Sequence, residues 1–103
     1  MTSEVILEED FVERDYRIYN KITKVEKSSE FPEGLKYTFN FMVFRDGKWQ
    51  NIARVDNSLH MGQVAKMHLH RMDKETAEHI DIPLEKIKDY IIKIGMEVEK
   101  WLK

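Results

Sequence analysis

The chain has 103 residues, 42% hydrophobic and 35% charged, with a net charge of −2 at neutral pH and no cysteine. That length supports one domain with a modest core and excludes two; the apolar share excludes a disordered chain, and the missing thiols exclude disulfides and cysteine-ligated metals, leaving His, Asp and Glu to hold any ion. There is no run of about 18 apolar residues, and the start of the chain lacks the basic and apolar segments of a secretory signal, so a soluble cytoplasmic protein without membrane contact is expected.

In chain order, Glu4 to Val12 has no decisive periodicity and fits either a short strand or a helical turn. Tyr16 to about Glu26 places Tyr16, Ile18 and Ile22 at period two and predicts a strand; Ser28 to Gly34, with Pro32 and Gly34, is a loop. Leu35, Tyr37, Phe39, Phe41 and Val43 then alternate with Lys36, Thr38 and Asn40, the clearest strand pattern in the chain. Arg45-Asp46-Gly47 reverses it, and Trp49 to Asp56 returns as its partner.

The register of this hairpin decides which residues share a face. With a three-residue turn and Gly47 left-handed, Val43 opposes Trp49, Phe39 opposes Ala53 and Tyr37 opposes Val55, while Arg54 and Asp56 share the other face with Lys36 and Asn40. A two-residue Asp46-Gly47 turn shifts the pairing by one and puts Arg54 opposite Phe39 and Asp56 opposite Tyr37. Burying two charges there costs several kcal/mol unless they are paired, which favours the three-residue turn. Trp49, Phe44 and Met42 lie away from or beside the core and offer a partner-binding patch, although sheet packing explains them more simply.

Val64 to Met72 alternates like a half-buried strand, with Ala65, Met67 and Leu69 on one face and Lys66, His68 and His70 on the other. Asp73 to Asp81 is a polar connection in which His79 is read as a surface residue. Leu84, Ile87, Ile91, Ile94, Val98 and Trp101 then recur every three or four residues behind Pro83, an amphipathic helix whose stripe covers the apolar face of the sheet. The same spacing fits a coiled-coil or homodimer seam, but fewer than three heptads and a sheet in need of a lid favour the core role. The expected fold is α+β: an antiparallel meander of about four or five strands with the terminal helix packed on one face.

Charge is unevenly spread along these elements. Residues 4–15 hold Glu4, Glu8, Glu9, Asp10, Glu13 and Asp15 against Arg14 alone, whereas residues 36–71 hold Lys36, Arg45, Lys48, Arg54, Lys66 and Arg71 against Asp46 and Asp56. Such a basic middle suits a few RNA phosphates and falls short of a duplex-binding stripe. Its chemically unusual residues are Arg54, Asp56, Asn57 and His60 where a strand ends, with His68 and His70 on the next one.

A hairpin ending in Arg-x-Asp-Asn, a loop with a histidine, a strand bearing His-x-His and a terminal amphipathic helix together resemble the TumE-type toxin family of toxin–antitoxin systems, over roughly residues 16–103. The resemblance implies a small RNA-cleaving protein paired with an antitoxin protein, with its motif in Arg54–Asn57, His60 and His68–His70.

The residues themselves suit that chemistry. Cleavage of RNA by its own 2′-hydroxyl needs a base, an acid and a cation for the developing phosphorane charge; His68 and His70 fit the first two roles and Arg54 the third, with Asp56 orienting one imidazole. Lys66, Arg71, Asn57 and His60 are candidate substrate contacts, although strand alternation sends Arg71 to the apolar side unless a bulge intervenes. Two other readings use the same residues. His68, His70, His60 and Asp56 have the ligand chemistry for zinc or another divalent metal, and a non-catalytic domain binding protein or nucleic acid needs neither cofactor nor acid–base pair.

Overall fold

The computed structural model describes residues 3–29, 31–57 and 67–102. The strands β1 (Glu4–Glu13), β2 (Tyr16–Lys24), β3 (Leu35–Arg45), β4 (Lys48–Asp56), β5 (His68–Arg71) and β6 (Glu78–His79) are followed by α1 (Leu84–Leu102). The strands lie side by side in sequence order, and every neighbouring pair is antiparallel. The α+β meander with a helical lid is as expected, but it has six strands among the described residues rather than four or five. The ambiguous Glu4–Glu13 segment is a strand, and the polar connection after Asp73 contains the two-residue β6.

The three-residue turn between β3 and β4 is not what forms. Arg45 pairs with Lys48, and Asp46 and Gly47 both take positive φ (54° and 80°), the two-residue type I′ turn whose twist matches that of its flanking strands. Trp49 therefore opposes Phe44, not Val43. The burial penalty foreseen for this turn is avoided by a bulge: between Phe41 and Met42 the register slips by one residue at Ile52, after which Phe41 opposes Ala53, Asn40 opposes Arg54 and Phe39 opposes Val55. Side-chain alternation is thereby reset halfway along β4. Trp49 and Asn51 before the bulge, and Arg54 and Asp56 after it, all reach the face away from the helix, while Ile52, Ala53 and Val55 are fully buried against it.

The buried side is built from Tyr37, Phe39, Phe41 and Val43 of β3, those three residues of β4, Leu69 of β5, and Ile87, Ile91 and Val98 of α1. Met67 packs against this cluster, as strand alternation predicts. The helix stripe is shorter than its spacing suggested: Trp101 is 75% exposed, one turn beyond the last core contact at Val98. Polar ties fix the helix over the sheet. Tyr16 donates its hydroxyl to Glu99 Oε2 at 2.9 Å, and Lys88 lies 3.2 Å from Glu9 Oε2 and over the Phe11 ring.

Gly95 sets how closely helix and sheet approach. A β-carbon at this position would sit 2.3 Å from Cδ1 and Cγ of Phe41. Replacing a mid-helix glycine by alanine ordinarily stabilises by about 0.5–1 kcal/mol. Here overpacking against a fully buried ring should dominate, and Gly95→Ala is expected to destabilise by about 1–3 kcal/mol in a urea titration. An unchanged or raised midpoint would show that α1 can lift off Phe41 at no cost.

Candidate functional site

Backbone register alone lines up the predicted residues. On the open face one row runs Tyr19, Asn40, Arg54, His70, and the next runs Lys21, Thr38, Asp56, His68, His79, each residue opposite the next across β2 to β6. Arg54, Asp56, His68 and His70 thus project from one face, with Phe39, Phe41, Met67 and Leu69 on the other.

Asp56 is the hub. Its side chain is only 10% exposed; Oδ2 lies 2.8 Å from Arg54 Nε and Oδ1 lies 3.6 Å from His70 Nε2. The first contact is a close ion pair, although the buried Arg54 N–H is not aligned on any acceptor as a hydrogen bond. The second is just beyond hydrogen-bond length, so Asp56 acts on His70 chiefly through charge. His68 lies between two other imidazoles, its ring centre 6.4 Å from that of His70 and 6.1 Å from that of His79. The floor beside Arg54 is rigid: Asn40 is buried and donates to Tyr19 O and Thr38 Oγ1, while Asn51 donates to Asn40 Oδ1 at 2.8 Å.

Of the other predicted contacts, His60 and Lys66 lie outside the described residues. Arg71 is not in the site. Its strand does not bulge, so alternation turns it to the helix side, where Nε and Nη2 reach Asp73 at 3.0 and 2.9 Å. Asn57 is spent on the fold: its amide accepts from Tyr37 N and donates to Leu35 O, extending the β3–β4 ladder one residue past its last pair. His79, read from the sequence as a surface residue, is exposed yet stands directly opposite His68. The signal was its position, since a tight reversal near Asp73 pairs the two.

Two further features bear on chemistry. Among the described residues no three His, Asp or Glu side chains converge on a common point that would hold a metal. A cleft of about 670 Å³ opens beside the site, not over it, between Phe31, Leu35, Tyr37 and Met67 on one side and Ile82 and Pro83 on the other. His79 and Asn57 lie on its wall, whereas His68, His70, Arg54 and Asp56 do not.

Burial pushes the His70 imidazole below its ordinary pKa of 6.5; Asp56 pulls it back, Arg54 and His68 add to the lowering, and the balance is downward. His70 is therefore neutral at pH 7 and able to accept a proton. Its depressed value also couples to stability: below 6.5 the unfolded chain binds a proton that the native site resists, so stability is complete above that pH and declines as pH falls toward the folded value. Urea midpoints should drop between about pH 7 and pH 5 in the wild type, and His70→Gln should remove part of that drop. Superimposable pH profiles for the two proteins would show that His70 resists no proton.

The Asn57 geometry gives a separate expectation. Asn57→Ala leaves Tyr37 N and Leu35 O without their partners and should cost about 1–3 kcal/mol of stability by denaturant titration. A loss below a few tenths of a kcal/mol would free Asn57 for a ligand role.

Comparison with family models, curated proteins and solved structures gives no match to this chain.

Proposed function

We propose that the protein cleaves RNA, as the resemblance to TumE-type toxins implies, and that its residues do so without a metal, by attack of the substrate's own 2′-hydroxyl on the adjacent phosphate. The observation that carries this reading is the pair of imidazoles with ring centres 6.4 Å apart on an open sheet face, one of them beside a nearly buried Asp56 that is paired with a half-exposed Arg54. His70, neutral at pH 7, is the base: Asp56 near Nε2 favours the proton on that nitrogen and leaves Nδ1 to take the proton of the 2′-hydroxyl. As the new 2′-oxygen–phosphorus bond forms, the bond from phosphorus to the 5′-oxygen breaks, and His68, as the acid, supplies the proton that the departing oxygen needs. The products are a 2′,3′-cyclic phosphate and a free 5′-hydroxyl. Arg54 has its Nε turned to Asp56, so the Nη edge of its guanidinium is the part that meets the phosphorane charge. A toxin of this type acts in the cytoplasm and is held in check there by an antitoxin protein.

Because both histidines sit on the polar face, His68→Ala and His70→Ala should each change stability by no more than about 1 kcal/mol. Each should nevertheless slow cleavage of a labelled RNA by roughly 10²–10⁴-fold, with wild-type activity bell-shaped in pH and indifferent to chelator. Arg54→Lys should recover little of the rate lost in Arg54→Ala, since a point charge does not reproduce the guanidinium fork. Undiminished cleavage by a folded His68→Ala, His70→Ala protein refutes the mechanism. Loss of activity on chelation would transfer the same histidines to a metal-dependent reaction.

A further inference from the structure

Building on the RNA-cleaving reading, we infer that the open face takes its substrate as a single strand, with Trp49 and Phe44 forming a platform on which a base stacks. The two-residue turn and the Ile52 bulge put this pair on the same face as the histidines. The rings meet edge to face, with centres 5.4 Å apart and planes at 69°, so each holds the other in orientation. The Arg17 guanidinium carbon lies 5.8 Å from the Trp49 ring centre and is itself fixed by Asp10, whose two oxygens accept from Nε at 2.8 Å and Nη2 at 2.6 Å.

Phe44 is 43% exposed, on the side of the sheet that α1 does not cover. On this face the exposed Phe44 and the half-buried Trp49, with Arg17 over its ring, together offer aromatic surface to an unpaired base.

Charge points to the same occupant. From β2 to β6 the described open face carries Arg17, Lys21, Lys36 and Arg54 against Asp56, and its other acids, Glu8 and Asp10, sit on the edge strand β1 in contact with Tyr19 and Arg17. Along the line from the histidines to the aromatic pair the cations are Arg54 and then Arg17, with Lys21 and Lys36 farther along the same face on the other side of the histidines. Arg54 and Trp49 oppose Asn40 and Phe44, which are four residues apart on β3, about 13 Å at the usual strand rise. A duplex keeps its base faces stacked inside and presents backbone and base edges to such a surface, whereas a single strand can lay a phosphate at Arg54 and a base face on Trp49.

The test uses Trp101→Phe, which leaves Trp49 as the one remaining tryptophan and changes an exposed side chain far from the face. The probe is a 2′-O-methyl oligouridylate, which cannot be cleaved because it has no 2′-hydroxyl, offered as a single strand and as a duplex with oligoadenylate. Single-strand binding should quench Trp49 emission, and the duplex should bind more weakly and leave the emission unchanged. Trp49→Leu and Phe44→Leu should each weaken single-strand binding about tenfold or more, read by fluorescence anisotropy of an end-labelled probe. Should Trp49→Leu fail to fold, Phe44→Leu and the emission change decide. Absence of single-strand binding, equal binding of duplex and single strand, or binding without an emission change overturns the inference. The two proposals fail separately: quenching by the probe with no cleavage of any RNA keeps the single-strand site and removes the nuclease, whereas histidine-dependent cleavage without a Trp49 response does the reverse.

Discussion

One extra residue in β4 governs the two faces of the sheet. The type I′ turn at Asp46-Gly47 sets a register in which Arg54 and Asp56 would point into the aromatic core, and inserting Ile52 shifts every later residue to the opposite face. Without that shift, two charges would be buried among Tyr37, Phe39 and Phe41, at a cost a domain of this size has little stability to absorb. With it, the same strand contributes Ile52, Ala53 and Val55 to the core and Arg54 and Asp56 to the site. Bulges are common beside functional surfaces because they re-aim side chains without breaking the sheet, whereas Trp49, ahead of this one, owes its place on the open face to the turn alone.

The site then inherits its order from the sheet. His68 and His70 are held by pairing with Asp56 and Arg54, so a change in β4 register would move both histidines and the carboxylate together. The two imidazoles stand side by side on one face, their ring centres 6.4 Å apart. The buried Asn40 braces this arrangement from below, through bonds to two neighbouring strands. On the other face, α1 closes the core through Ile87, Ile91 and Val98, and the Tyr16–Glu99 contact ties its far end to β2.

Much of this was legible in the sequence because it follows from alternation. The period-two pattern of Leu35 to Val43 and of Met67 to His70, and the three-four stripe of α1, identify the elements and assign Arg54, Asp56, His68 and His70 to one face. The face was right and the register behind it was not: a three-residue turn and a two-residue turn followed by a bulge give the same parity after Ile52, so hydrophobic pattern cannot separate them. The difference shows only before the bulge, at Trp49. Asn57 was misjudged for another reason, since an amide that closes a ladder looks like one that awaits a ligand until its backbone partners are known. His79 had no periodic neighbours to mark it, because a two-residue strand carries no pattern. Trp101 fitted the helical stripe by spacing alone, but its side chain is exposed, beyond the last buried stripe residue at Val98.

Sequence-order pairing of the strands has a consequence for how the molecule is made. Each hairpin can close from residues near in the chain, so the sheet can assemble progressively during synthesis, at low loop-closure cost. Its lid cannot: α1 follows all six strands, and until it emerges Phe39, Phe41, Val55 and Leu69 have no cover. The nascent sheet would pass through a stage in which the face bearing Arg54, Asp56 and the histidines is formed while the opposite face is sticky. Delayed helix docking would expose an intermediate of this kind to aggregation before its core is closed.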